Sequence, residues 1–184
     1  MKRILTIIVV GLSLCPTLAN GFMPLCAPKA QAEDPIASIR RNYAEINRST
    51  VKYKKVKKEL SGFSTEGGEL VAYFDGTRIM KIVTMFYGEI GKASEEYYYR
   101  DGKLIFVLRT DYRYNKPLSG NVVRITLNRF YFSNHRLIRW VDERGKQVAY
   151  ETSEYSEKQK DYLDNSKQFT EGARSKNSTI ESKQ

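Results

Sequence analysis

Hydrophobic positions along the chain follow two periods. From Pro35 they recur at Ile36, Ile39, Tyr43, Ile46, Tyr53, Val56 and Leu60, intervals of three, four and seven that line up one stripe of a helix. Asp34 supplies an N-cap and Pro35 a first helical residue. The pattern predicts a helix over 35–60, weakest at Asn47-Arg48-Ser49-Thr50, where propensity is poor, and ended by Ser61-Gly62. Beyond a polar joint the period falls to two. It predicts strands near 69–74, 78–87, 94–100, 103–112, 122–132, 136–141 and 146–149. A thin stripe of Tyr155, Gln159, Tyr162 and Phe169 predicts a second helix over 150–169, and the polar stretch 171–184 reads as a disordered tail. The class is α+β: one N-terminal helix packed on an antiparallel meander of six or seven strands, then a C-terminal helix.

The strand region holds a loose repeat of aromatic pair, short turn and apolar strand. Its copies begin at Tyr73-Phe74-Asp75-Gly76, Tyr98-Tyr99-Arg100-Asp101-Gly102 and Tyr131-Phe132-Ser133-Asn134-His135. Asp-Gly favours two-residue hairpins because the type I′ turn needs positive φ at both central positions. Asp142-Glu143-Arg144-Gly145 reads as a fourth turn. Strict alternation over 103–112 places Leu104, Phe106 and Leu108 on the core side, with Ile105, Val107, Arg109 and Asp111 opposite.

The N-terminus follows a different pattern. Lys2 and Arg3 precede an uncharged apolar run, Ile4 to Leu14, far shorter than the roughly 20 residues of a membrane span. Ala30-Gln31-Ala32 before Glu33-Asp34 gives the small-x-small pattern of a signal peptidase site, so 1–32 reads as a cleavable export signal cut after Ala32, with Thr17-Leu18-Ala19 as the second candidate. The expected location is periplasmic or secreted, with no transmembrane helix in the mature form. Both cysteines, Cys15 and Cys26, leave with the signal, which excludes disulfide and thiol chemistry from the domain over 33–170. Loss of Lys2, Arg3 and Lys29, with no acid, lowers the net charge from +10 to +7. Outside the cytoplasm such a charge suits an anionic envelope component better than nucleic acid.

Candidate chemistry is sparse. His135, the only histidine, falls in a predicted turn, and no HExxH, Walker, dinucleotide or EF-hand pattern occurs. Glu95 and Glu96 are adjacent on a strand, so they point to opposite faces and do not act on one bond. No catalytic residue, cofactor or metal ligand is expected. Tyr97 and Tyr99 are candidates for a carbohydrate or peptide platform, or for an ordinary half-buried sheet surface. Arg109, Arg113, Arg124 and Arg129, with Tyr131, are candidates for an anion-binding strip or for cross-strand pairs with Glu95, Glu96 and Asp111. Lys52, Lys54, Lys55, Lys57 and Lys58 read either as a membrane-surface helix or as the wet side of a packed one.

Gly67-Gly68-Glu69-Leu70, Tyr73-Phe74-Asp75-Gly76, Phe86-Tyr87-Gly88-Glu89, Glu95-Glu96-Tyr97-Tyr98 with Asp101-Gly102-Lys103-Leu104, and Asn128-Arg129-Phe130-Tyr131-Phe132 through Leu137-Ile138-Arg139-Trp140 resemble a group of uncharacterised secreted bacterial proteins. The resemblance covers roughly 36–170. It implies a single exported domain and no known activity. The residues themselves point to a non-catalytic binding or interaction module with a carbohydrate, an anionic envelope component or another exported protein as partner. The rival readings are an envelope-associated structural protein and a hydrolase with an unrecognised carboxylate site.

Overall fold

The structure, a computed structural model, describes residues 33–183. The expected signal and both candidate cuts, after Ala32 and after Ala19, lie outside the described residues.

Asp34 caps the first helix as expected, its Oδ1 accepting from the Ile36 N–H at 3.0 Å, and α1 runs over Pro35–Ser49. It stops eleven residues short of Leu60. A 3₁₀ turn, Thr50–Lys52, follows, Tyr53 turns extended, and the chain continues as strand β1, Lys54–Ser61. Val56, Lys58 and Leu60 satisfy a two-residue period as well as a helical one, and pairing with the next strand decides between them. That choice is non-local, so periodicity alone cannot make it.

The meander continues through β2 (Gly68–Asp75), β3 (Arg78–Gly88), β4 (Gly91–Arg100), β5 (Lys103–Tyr114), β6 (Val122–Ser133) and β7 (Arg136–Val141). The expected strand over 146–149 is reduced to one bridge, Val141 with Gln147. The second helix, α2, spans Ser153–Arg174, capped by the Thr152 hydroxyl, which accepts from Tyr155 N–H. The tail is not disordered. Thr179–Glu181 forms β8, parallel to β1 with Ile180 opposite Leu60, and closes an eight-stranded sheet of order β7-β6-β5-β4-β3-β2-β1-β8. One buried side chain, Ile180, and backbone pairing to the β1 edge suffice to hold this segment, which is why its composition reads as polar.

The repeat has a structural counterpart beyond its turns. Asp101-Gly102 and Asn134-His135 have positive φ at both residues, as type I′ turns require. At the first copy the turn sits one residue later than expected, on Gly76-Thr77, because Asp75 pairs with Arg78. Three residues after each turn the strand carries a β-bulge. Met80, Ile105 and Ile138 are the unpaired extras between Ile79 and Lys81, Leu104 and Phe106, and Leu137 and Arg139. A bulge sets two successive side chains toward one face. The expected faces of β5 are corrected accordingly: Ile105, Phe106 and Leu108 pack with α1, whereas Leu104 and Val107 pack with α2.

Each helix covers one face. Ile39, Tyr43 and Ile46 of α1 lie on Tyr98, Phe106 and Tyr131, with Tyr43 and Phe106 ring centroids 5.4 Å apart. Tyr155, Tyr162 and Phe169 of α2 lie on Trp140, Phe130 and Tyr97. The turns at Gly76, Gly102 and Asn134 mark the near end of the sheet. At the far end, where the β3–β4 turn and the loop 115–121 lie, the sheet outruns its helices, and Val123 and Ile125 are 64% and 54% exposed.

Candidate functional site

The expected arginine strip assembles only in part: Arg109, Arg113 and Arg124 share the α2 side, with Arg113 directly opposite Arg124 on the groove lining, whereas Arg129 lies on the other face. On the α2 side, Arg109 faces Glu95 across the β4–β5 ladder and donates from Nη1 to Glu95 Oε1 at 2.7 Å. Its Nε and Nη2 grip Asp111 Oδ1 at 2.9 and 2.7 Å. The Tyr97 hydroxyl donates to the other Glu95 oxygen at 2.5 Å. Burial pushes the Glu95 carboxyl above its ordinary range, against the downward pull of Arg109 and Tyr97. Arg113 is exposed, and Arg124 makes an exposed pair with Glu143 at 3.0 Å. Arg129 points to the opposite, α1 face, with Leu127 and Tyr131 as its neighbours on alternate β6 positions.

The tyrosines do not form a platform. Tyr97 and Tyr99 are 0% and 2% exposed, locked under α2, with the Ser166 hydroxyl donating to the Tyr99 oxygen at 3.1 Å. Tyr131 is buried against Phe106, centroids 4.9 Å apart. These side chains carry the core because a sheet covered on both faces has no wet side along its middle.

The lysine cluster divides in the same way. Lying on a strand, it sends Lys54 and Lys58 toward α2, and Lys55 and Lys57 the other way, with Lys55 Nζ 5.6 Å above the Tyr73 ring; Lys52 sits apart in the 3₁₀ turn. Lys58 is buried and donates to the carbonyls of Ser175, at 2.9 Å, and Asn177, just past the C-terminus of α2, where a cation is favoured. The membrane-surface helix is thus replaced by a split set with one structural member. Lys58→Met should lower stability by about 1–3 kcal/mol, whereas Lys54→Met, Lys55→Met and Lys57→Met should each stay within about 0.5 kcal/mol, as read from urea midpoints.

The acids are committed too. Glu96, on the α1 side, pairs with Lys81 at 2.5 Å and accepts from the Tyr98 hydroxyl at 2.5 Å, so Glu95 and Glu96 do face opposite ways. Glu95 and Asp111 share the Arg109 guanidinium. Every buried side-chain nitrogen and oxygen among the described residues has a hydrogen-bond partner, and no cluster of three or more His, Cys, Asp or Glu able to hold a metal occurs among them. His135, at φ 61°, is a turn residue.

Two hollows open at the bare end. On the α2 side a groove of about 560 Å³ has Phe86, Ala93, Asp111 and Thr126 among its floor residues, with Ser64 and Glu143 on the flanking connections. Gly91 in this groove is obligatory, since a Cβ there would sit 2.2 Å from the Tyr112 carbonyl oxygen. On the α1 side a cavity of about 270 Å³ is walled by Ile39, Tyr43, Phe106, Leu108, Leu127 and Tyr131. Arg40 and Arg129 complete its lining, which contains no acid. Of this cavity the sequence singled out Arg129 and Tyr131. It missed Arg40 and Leu127, although Leu127-Asn128-Arg129-Phe130-Tyr131 places Leu, Arg and Tyr on one strand face; what was missing was the position of α1.

No described helix is long and apolar enough to cross a membrane. Compared with protein-family models, with curated proteins and with solved structures, the chain matches none of them.

Proposed function

We propose that the chain is an exported, non-catalytic binding module whose ligand surface is the bare far end of the sheet. One observation carries this reading: both helices stop short of that end and leave a hollow on each face, while the acids and arginines best placed for chemistry, Glu95, Arg109, Asp111 and Glu96, are tied up by their own partners. Pairing with the Arg109 cation favours the ionised form of Glu95 and Asp111, and neither can share a proton with Glu96 on the opposite face, which argues against a two-carboxylate hydrolase. The split lysines argue against an envelope-surface role. The resemblance to secreted proteins and the leader pattern over 1–32 support export.

The test is native mass spectrometry of the protein recovered from periplasm or medium. The expected species starts at Glu33 and carries a non-covalent adduct that is lost on denaturation. A chain that keeps residues 1–32 and stays inside the cell removes the export reading, and a ligand-free chain removes the binding reading.

A further inference from the structure

We infer that the α1-side cavity binds a short, single-chain carboxylate, tail inward and head on Arg129 and Arg40. The inference rests on the binding-module reading and names its ligand class. Six of the eight side chains lining the cavity are aliphatic or aromatic, and the other two are guanidinium groups. Neither Arg40 nor Arg129 makes a side-chain hydrogen bond or an ion pair among the described residues. Arg41, Arg78, Arg100, Arg109 and Arg124 have carboxylate partners, and the other arginines that make neither contact among the described residues, Arg48, Arg113, Arg136 and Arg144, are exposed, so Arg129 stands apart as half-buried and unpaired.

Arg129 is half-buried on a strand whose same-face neighbours are Leu127 and Tyr131, so its charge is partly stripped of water without compensation. An anion at that point supplies the missing acceptor, and a planar carboxylate matches the guanidinium fork. Apart from the hydroxyls of Tyr43 and Tyr131, the rest of the cavity offers apolar contact, which suits a hydrocarbon tail.

Size narrows the class further. The volume of about 270 Å³ lies just under the roughly 300–1,000 Å³ typical of small-molecule sites, which excludes the two acyl chains of a phospholipid. A tail longer than the cavity has a continuation: Ile125 and Val123 follow Leu127 along β6, both exposed. No bond is made or broken, and affinity comes from tail burial plus one charge-assisted contact.

Titration calorimetry of the exported protein with octanoate tests this, with octylammonium as the same tail bearing the opposite charge. Octanoate should bind saturably and octylammonium at least about tenfold more weakly, the difference expected of one charged hydrogen bond. Arg129→Gln should weaken octanoate by about tenfold and Arg40→Gln by less, neither moving the thermal midpoint. Arg40 is exposed, so its variant keeps the test informative if Arg129→Gln disturbs the fold. Equal affinity for the two probes, undiminished octanoate binding by both variants, or no saturable octanoate signal overturns the assignment. If octanoate is silent while native mass spectrometry reveals a different adduct, the ligand class falls and the binding-module reading stands.

Discussion

Removing residues 177–184 should lower the unfolding free energy by about 3–5 kcal/mol, the largest effect expected of any change at the chain's end. Two losses combine. Ile180, 6% exposed between β1 and Gly172, leaves a hole of the kind that costs about 2–5 kcal/mol when a large aliphatic side chain is cut back. Lys58 loses the Asn177 carbonyl, and the Glu59 N–H and Ser61 carbonyl lose Ser178 and Ser182. Urea denaturation reads the result, and Ile180→Ala alone should account for about half of it or more. An unchanged midpoint for the truncated chain would mean that β8 is not part of the folded sheet.

Arg109→Met should cost about 2–3 kcal/mol, somewhat below the price of breaking a fully buried pair because the Arg109 side chain is 36% exposed. The damage lies in what is left behind: Glu95, 4% exposed, keeps its charge and loses its cation. The pH dependence has a definite sign. Burial already raises the Glu95 carboxyl above its ordinary 4.5, and losing Arg109 raises it further. A folded-state value above the unfolded one means the folded chain holds the proton more tightly, so this group's penalty is full above the folded value and fades as pH falls toward 4.5. The gap between variant and parent should therefore be widest above the folded-state values and close as pH falls toward 4.5. Adding Glu95→Gln should restore most of the loss at neutral pH, since neither charge then remains, and the double-mutant cycle isolates the pair. A gap that widens on acidification would contradict a buried, uncompensated Glu95.

Much of the fold was legible because its signals are local. The Asp34 cap, the Asp101-Gly102 and Asn134-His135 turns and the alternation along β4 depend only on neighbouring residues, and the opposite orientation of Glu95 and Glu96 follows from that alternation. What was misread depends on distant partners. Val56 and Leu60 fit helix and strand equally until β2 pairs with β1. The tail looks polar because one isoleucine anchors it. The candidate site was legible only in part for the same reason. Arg109 and Arg129 look alike on their strands, yet one meets Glu95 and Asp111 while the other meets the apolar flank of α1, and only the packed helices distinguish them. Tyr97 and Tyr99 became core because α2 covers a face that the sequence left half open.

The bulges at Met80, Ile105 and Ile138 have one consequence for the whole molecule. All three lie beside a single transverse row, Tyr73, Lys81, Tyr98, Phe106, Tyr131 and Arg139, in which each residue is paired with the next across the strands. Lined up in this way, three local irregularities act together as a crease. The extra side chains pack in the α1 cluster, so the crease gives that helix its bed and marks the boundary between the clothed part of the sheet and the naked part beyond it. The placement of the hollow beside Arg129 is therefore set by a counting rule, three residues after each turn, repeated on three strands.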